Sequence, residues 1–272
     1  LLNHRSGMQA NVGRIDDEGN GLMPGNKEVS LEELIELFKD SKLKFNPGTG
    51  YEYNNFGYSL LAYIIEDVSK MSYADYMEEV VFKPANMQNT AVSDFNPTSI
   101  KSYSYIGLGM KEFKRYQSPI HSSWVIGAGN IHSTTDDLHH FMEALENGKL
   151  LKPDSVDKLY SYTKSRGIND SEYGLGWRIE HRAGEKWINH TGLLPGSASL
   201  IGLLPERNIK IIILSNATST ELATEDTFRG QSQFVDRAII DNIIAVLQGK
   251  KPELLPLAVK ATNKNSVDYS KT

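Results

Sequence analysis

The feature that most constrains this chain is a change of hydrophobic period near residue 170. Before it, apolar residues recur at helical spacing; after it, they alternate or form solid β-branched runs. Helices gathered first and strands gathered later predict an α+β plan, with an antiparallel sheet flanked by helices. Ser30-Leu31-Glu32-Glu33 is a capping box opening an amphipathic helix on Leu31, Leu34, Ile35 and Phe38. Leu60, Leu61, Ile64, Ile65 and Val68 mark a second helix. Ser72 opens a third that stops before Pro84, and Ser133-Thr134-Thr135-Asp136 opens a fourth that closes at Asn147-Gly148. Residues 86–130 lack a sustained period and are expected to be irregular cover.

In the second region, Tyr173–Glu180 and Trp187–His190 predict a hairpin across Ala183-Gly184. Ser197–Leu204 and Ile209–Leu214 predict two more strands. The last of these is apolar nearly throughout, so it should be buried on both faces and flanked on both edges. A final helix over about 232–248 should present Val235, Ile239, Ile243 and Leu247 on one face. The expected domain covers 1–248, with a helical and loop region over 1–168, and sheet plus helix over 169–248. Residues 249–272 read as a polar tail.

Bulk properties exclude several functions. A net charge of -5 and a pI near 5.8 give no electrostatic reason to expect nucleic acid as a partner, which would call for a basic face. No apolar run reaches the roughly 18 residues of a membrane span. The sequence holds 0 cysteines, which excludes disulfides and thiol catalysis. Leu1-Leu2-Asn3-His4 has neither an initiator Met nor a leader pattern and reads like the middle of a protein.

Two motifs carry chemistry. Pro47-Gly48-Thr49-Gly50-Tyr51-Glu52-Tyr53-Asn54-Asn55-Phe56-Gly57-Tyr58 runs straight into an apolar helix. Asn189-His190-Thr191-Gly192 ends a strand and precedes Pro195-Gly196-Ser197. With Leu1-Leu2-Asn3-His4-Arg5-Ser6-Gly7 and Gly127-Ala128-Gly129-Asn130-Ile131-His132-Ser133-Thr134-Thr135-Asp136-Asp137-Leu138, in this order, the chain resembles the class C β-lactamase-related serine hydrolases. That family includes D-Ala-D-Ala carboxypeptidases, D-aminopeptidases and esterases, and the resemblance covers roughly residues 1–248.

The resemblance implies a β-lactamase/transpeptidase-like fold with its N-terminal strands missing here. It also implies a periplasmic or extracellular setting, no cofactor or metal, and an amide or ester substrate that is a small molecule or a peptide. Its residue roles follow the family's Tyr-x-Asn loop and His-x-Gly strand. Tyr53 would be the general base and then the acid to the leaving group. A phenol with an ordinary pKa near 10 can do this only if cations lower that value. Asn55 would hydrogen-bond the substrate acyl amide. His190, Thr191 and Gly192 would line the site, and the Leu193 N–H would form half of an oxyanion hole. His190 stands where a lysine would be a fixed cation; a histidine near pKa 6.5 is largely neutral at pH 7. This favours an esterase, D-aminopeptidase or carboxypeptidase-like activity over a dedicated β-lactamase.

The departure is the nucleophile. The family places Ser-x-x-Lys before the Leu-Leu-x-His block, which here comes first. Ser41–Lys44, Ser155–Lys158 and Ser161–Lys164 all follow it and read as chance matches. The expected nucleophile therefore lies on an N-terminal segment outside this chain, supplied by the same gene product, a cleaved piece or a second copy that also completes the sheet. Plainer readings stand beside these. Tyr53 could be a packed aromatic, His190 a strand histidine satisfied by a carbonyl, and Asn55 an N-cap for the helix starting at Phe56. His139 and His140 are adjacent on a helix and make a poor metal pair. Asp16-Asp17-Glu18 reads as loop, and Tyr103, Tyr105, Tyr116 and Trp124 as either cleft or packing.

Overall fold

Four strands between residues 178 and 215 form one antiparallel sheet in which neighbours in the chain are neighbours in space, as the alternation required. The computed structural model describes residues 1–8, 25–93, 104–108, 112–116, 118, 121–162, 172–194, 196–219 and 239–252. The strands are β5 (Arg178–Arg182), β6 (Glu185–Leu194), β7 (Ser197–Leu204) and β8 (Ile209–Ser215). Ala183 and Gly184 turn between the first two at φ 49 and 84, the doubly positive backbone of a tight two-residue hairpin.

Each face of the sheet buries its own set of side chains. Trp187, Leu200, Leu204 and Ile211 meet Ile240 and Ile244 of a C-terminal helix described over 239–247. Ile188 and Leu203 point the other way, onto Trp177 and onto Met142 and Leu145 of α4 (Thr135–Glu146). Lys210 ties β8 to the end of α4 through Glu146 at 2.7 Å.

The helical region is built as its caps dictate. Ser30 makes the full capping box at α1 (Leu31–Phe38). α2 (Asn55–Ser69) and α3 (Tyr73–Met77) follow, the latter running on into a π-helical turn over Glu78–Phe82. α5 (Pro153–Leu159) lies beyond α4. Gly127, at φ 74, lets its loop touch α2: a Cβ there would stand 2.7 Å from the Tyr58 carbonyl oxygen.

Four expectations change. Residues 86–130 are not wholly irregular. They contain β1 (Ala91–Val92), the hairpin β2 (Ser104–Leu108) with β3 (Glu112–Tyr116), a 3-10 turn over Ser122–Val125 and the start of the β1–β4 ladder. These pieces are too short to establish a period. β2 also pairs in parallel with β9 (Ala217–Ser219), and β4 is Ile131–His132. The first sheet strand begins at Arg178, because Tyr173 makes only an isolated bridge to it. The final helix buries Ile240 and Ile244, whereas Leu247 is exposed; positions 239, 240, 243, 244 and 247 are all apolar, so the stripe had two possible centres. Finally, β8 packs on both faces, though only Ile211 is buried and Leu214 is exposed, and it pairs only with β7 among the described residues. An apolar pattern reports faces, not edges.

The Asp16-Asp17-Glu18 loop, Tyr103, Lys164, Val235 and the tail beyond residue 252 lie outside the described residues. No helix among the described residues is long and apolar enough to cross a membrane.

Candidate active site

The site forms where the loop before α2 meets the open end of β6. β5 stops pairing at Arg178↔Asn189, so His190 to Leu194 continue past it with β7, among the described residues, on one side only. Burial follows that register: Trp187 to Asn189 are buried, whereas His190, Thr191, Leu193 and Leu194 are half-buried and Gly192 is exposed. The predicted Tyr53 arrives against this stretch, its ring roughly parallel to that of His190 at a centroid distance of 6.2 Å and 29°.

Tyr53 is held from behind by His4, which is 2 % exposed. The His4 ring lies 4.1 Å from the Tyr53 ring and 4.8 Å from that of Tyr173, centroid to centroid. Tyr58 completes the group, its ring 5.1 Å from His4 and its hydroxyl donating to the Leu2 carbonyl at 2.7 Å. His190 Nε2 and the Tyr173 hydroxyl share a hydrogen bond of 2.9 Å. His190 thus has a phenol as a partner, alongside a bond to the Thr191 backbone that the plainer reading allowed.

Electrostatics divides the site between burial and one cation. Burial raises the pKa of Tyr53, and the Arg178 guanidinium opposes that rise. The same two influences act together on His190, lowering it to about 4, while the Thr191 backbone works against them. His4 falls to about 3, first through burial, then through His190 and Arg178. Burial pushes Tyr58 up to about 12 and Tyr173 well above the ordinary phenol range. Both histidines are therefore neutral at pH 7, and Arg178 is the side-chain cation that acts on Tyr53, His4 and His190 alike.

The remaining predicted residues fall into place unevenly. Thr191 accepts a hydrogen bond from Arg178 Nη1 at 3.2 Å. Gly192 faces β7, where a Cβ would come within 2.5 Å of the Ser199 hydroxyl oxygen, so a side chain there would require the Ser199 hydroxyl to turn away. Leu193 pairs with Ala198 on the open stretch of β6. Asn55 is not the helix cap. Asn54 is: its side chain accepts from the Gly57 N–H at 3.0 Å and donates to the Met8 carbonyl at 2.9 Å, so Asn55 is the first residue of α2 and half-buried. Trp124 packs beside Val29, Leu34, Phe38 and Phe56.

The Ser-x-x-Lys strings look unlike a nucleophile pair. Ser41 and Lys44 are exposed outside any helix, with Lys44 paired to Glu52 at 3.2 Å. Lys158 is exposed on α5, and the Ser161 hydroxyl donates to the Lys158 carbonyl at 3.1 Å. The described residues hold no group of three or more metal-binding side chains.

Arg178 and Tyr173 belong to no motif and were not singled out as site residues from the sequence. The hairpin turn could have found Arg178, because a two-residue loop at Ala183-Gly184 places it opposite Asn189, next to His190.

A family model for beta-lactamase matches residues 1–233 of the chain, from the His4 block through the His190 strand. The chain belongs to the beta-lactamase family. Relatives in that family include penicillin-binding protein 4* of Bacillus subtilis (strain 168), 27% identical over 230 residues, which are 79% of this chain and 50% of that protein. The putative penicillin-binding protein PbpX of the same organism is 30% identical over 217 residues, again 79% and 50%. The chain thus spans about half the length of the curated relatives it matches. Among solved structures, an octameric penicillin-binding protein homologue from Pyrococcus abyssi superposes with a TM-score of 0.70 at 25% identity, over 92% of this chain and 55% of that one. A D-amino acid amidase from Ochrobactrum anthropi SV3 shares the fold, with a TM-score of 0.69 at 20% identity over 91% and 71% of the two chains. The family's β-lactamase/transpeptidase-like fold accounts for the α+β plan.

Proposed function

We propose that this chain carries the base and the substrate-binding wall of a serine acyl-transfer site, and that the attacking serine belongs to a segment outside these 272 residues. The observation that carries the reading is the meeting of Tyr53 with the open stretch of β6 beside Arg178. An extended amide or ester substrate can lie along that unpaired edge as an added strand, presenting its acyl carbon near the Tyr53 hydroxyl. Burial keeps Tyr53 protonated in this chain even beside Arg178. It therefore takes the proton of the incoming serine hydroxyl, and later returns it to the leaving group, once the upstream segment brings a further cation beside it. Asn55 bonds the acyl amide, and the Leu193 N–H donates to the oxyanion. His190 is neutral, so it orients by hydrogen bonding rather than by charge. Arg178 supplies the cation that a lysine on β6 would have supplied, both to Tyr53 and to a carboxylate on the substrate. A peptide or small-molecule amide or ester hydrolase of the peptidase, esterase or penicillin-binding type fits this division of labour, and the names of the relatives support that class.

The test is covalent labelling of the protein with its upstream segment by a fluorophosphonate or a β-lactam. Labelling is expected there, and Tyr53→Phe is expected to slow acylation by about 10²–10⁴-fold, the usual contribution of a general base. Unchanged acylation in that variant would remove Tyr53 from its role. The raised pKa of Tyr53 favours a second reading, a non-catalytic binding module or scaffold with a protonated phenol. On that reading no probe labels the protein in any form.

A further inference from the structure

The geometry points to His4 as a positioning residue for Tyr53, an inference that rests on the catalytic reading of Tyr53 but is measured apart from it. His4 brackets the tyrosine along the chain. Its carbonyl oxygen accepts from the Glu52 N–H at 2.9 Å, one residue before Tyr53. Its Nδ1 accepts from the Asn54 N–H at 3.1 Å, one residue after. Between these two bonds the imidazole lies against the phenol ring itself. One buried residue thus fixes the backbone on both sides of Tyr53 and the face of its ring.

Three further facts fit this role rather than proton transfer. Acceptance at Nδ1 sets the tautomer with the proton on Nε2, and Nε2 is buried with no partner among the described residues. Protonating Nδ1 would break the bond to Asn54, and the depressed pKa of about 3 keeps that nitrogen free. The backbone of His4 stands at φ 55, a left-handed conformation that costs energy for a residue with a Cβ. That conformation turns the chain so that carbonyl and ring both face the Tyr53 segment. A chain with thirteen tyrosines offers many aromatic contacts, but here the contact is combined with two hydrogen bonds to flanking peptide groups.

The experiment compares His4→Gly with His4→Asn. Glycine accepts the positive φ and removes both ring and acceptor; asparagine tolerates the same φ and keeps an acceptor near the Nδ1 position. The protein is labelled with 3-fluorotyrosine, and the Tyr53 fluorine resonance is assigned by its absence from Tyr53→Phe. In His4→Gly that resonance should shift and broaden, and kcat of the catalytically competent full-length protein should fall by about 10²-fold with KM little changed, the effect of a misplaced group. His4→Asn should recover most of the rate and leave the pH limbs of kcat/KM in place.

An undisturbed Tyr53 resonance and rate in His4→Gly would overturn the inference. Equal impairment in both variants would do so too, since the acceptor would then be irrelevant. A pH limb lost in His4→Asn would make His4 a proton carrier instead. Should His4→Gly fail to fold, His4→Ala takes its place against His4→Asn, with the same expected and overturning outcomes. Full turnover in Tyr53→Phe combined with a shifted resonance in His4→Gly would sink the catalytic reading while leaving the positioning intact.

Discussion

The two walls of the site are held by different physics. His190 and Arg178 sit on β6 and β5, where ladder hydrogen bonds and the buried faces of the sheet determine every position. Tyr53 sits on a loop with no ladder, held by His4, the Asn54 cap and the aromatic group around them. A ladder spreads its stability over many equivalent bonds, so one side chain contributes mainly packing. A loop held by a few side chains makes each of them decisive for geometry. Loss of a sheet residue should therefore lower stability while sparing the site. Loss of a loop anchor should do the reverse.

The largest stability effect expected on the sheet side is Trp187→Ala. Trp187 is 2 % exposed and packs with Leu200, Leu204, Ile211, Ile240 and Ile244. Emptying that volume should cost about 3–5 kcal/mol in a urea melt, the usual range for a buried large aromatic. The rate per folded molecule should stay close to wild type. A large fall in that rate, with stability little changed, would erase the distinction between the walls.

The two histidines offer a pH test of the same contrast. Their folded values, about 3 for His4 and about 4 for His190, lie below the ordinary value of 6.5. The unfolded chain therefore binds protons first as pH falls. The stability these groups confer is complete above pH 6.5 and declines toward their folded values, by up to about 1.4 kcal/mol per pH unit for each histidine. Melts from pH 7 to 4.5 should show this slope, and His4→Asn and His190→Asn should each flatten it. A variant slope equal to that of wild type would mean the substituted histidine is protonated alike in both states.

How much of this was legible beforehand follows the same division. β5 to β8 could be read because alternation reports which face of a strand is covered, and Ala183-Gly184 fixed one register outright. The edge of β8 could not, because pairing partners leave no mark on a strand's own pattern. The β2–β3 hairpin is too short to show a period, and the C-terminal helix carries adjacent apolar residues that leave its face ambiguous by one position. Within the site, Tyr53 and His190 stood out only through motifs that resemble a known family. Arg178 was implied by the hairpin register but has no motif. The hold of His4 on Tyr53 depends on a contact between distant parts of the chain, which no local spacing encodes. Asn54 and Asn55 could not be separated as caps, since both precede the same apolar run; the backbone decided, with Asn54 extended at φ -145 and ψ 111.

That last assignment supports the smallest of the expected effects and the sharpest test of the loop wall. Asn54 is 2 % exposed and does two jobs, capping α2 at Gly57 and tying the loop to the Met8 carbonyl. Asn54→Ala should cost about 1–2 kcal/mol, as removal of a helix cap does, and should also slow acylation because Tyr53 is the adjacent residue. Asn54→Ser keeps a capping oxygen but cannot reach Met8, so it should recover the stability more fully than the rate. Asn55→Ala should leave the melt near wild type, since Asn55 caps nothing. If Asn55→Ala destabilised the protein and Asn54→Ala did not, the cap would be misassigned. If Asn54→Ser restored rate and stability in equal measure, the tie to Met8 would contribute nothing to holding Tyr53, and the loop wall would owe its order to the cap and His4 alone.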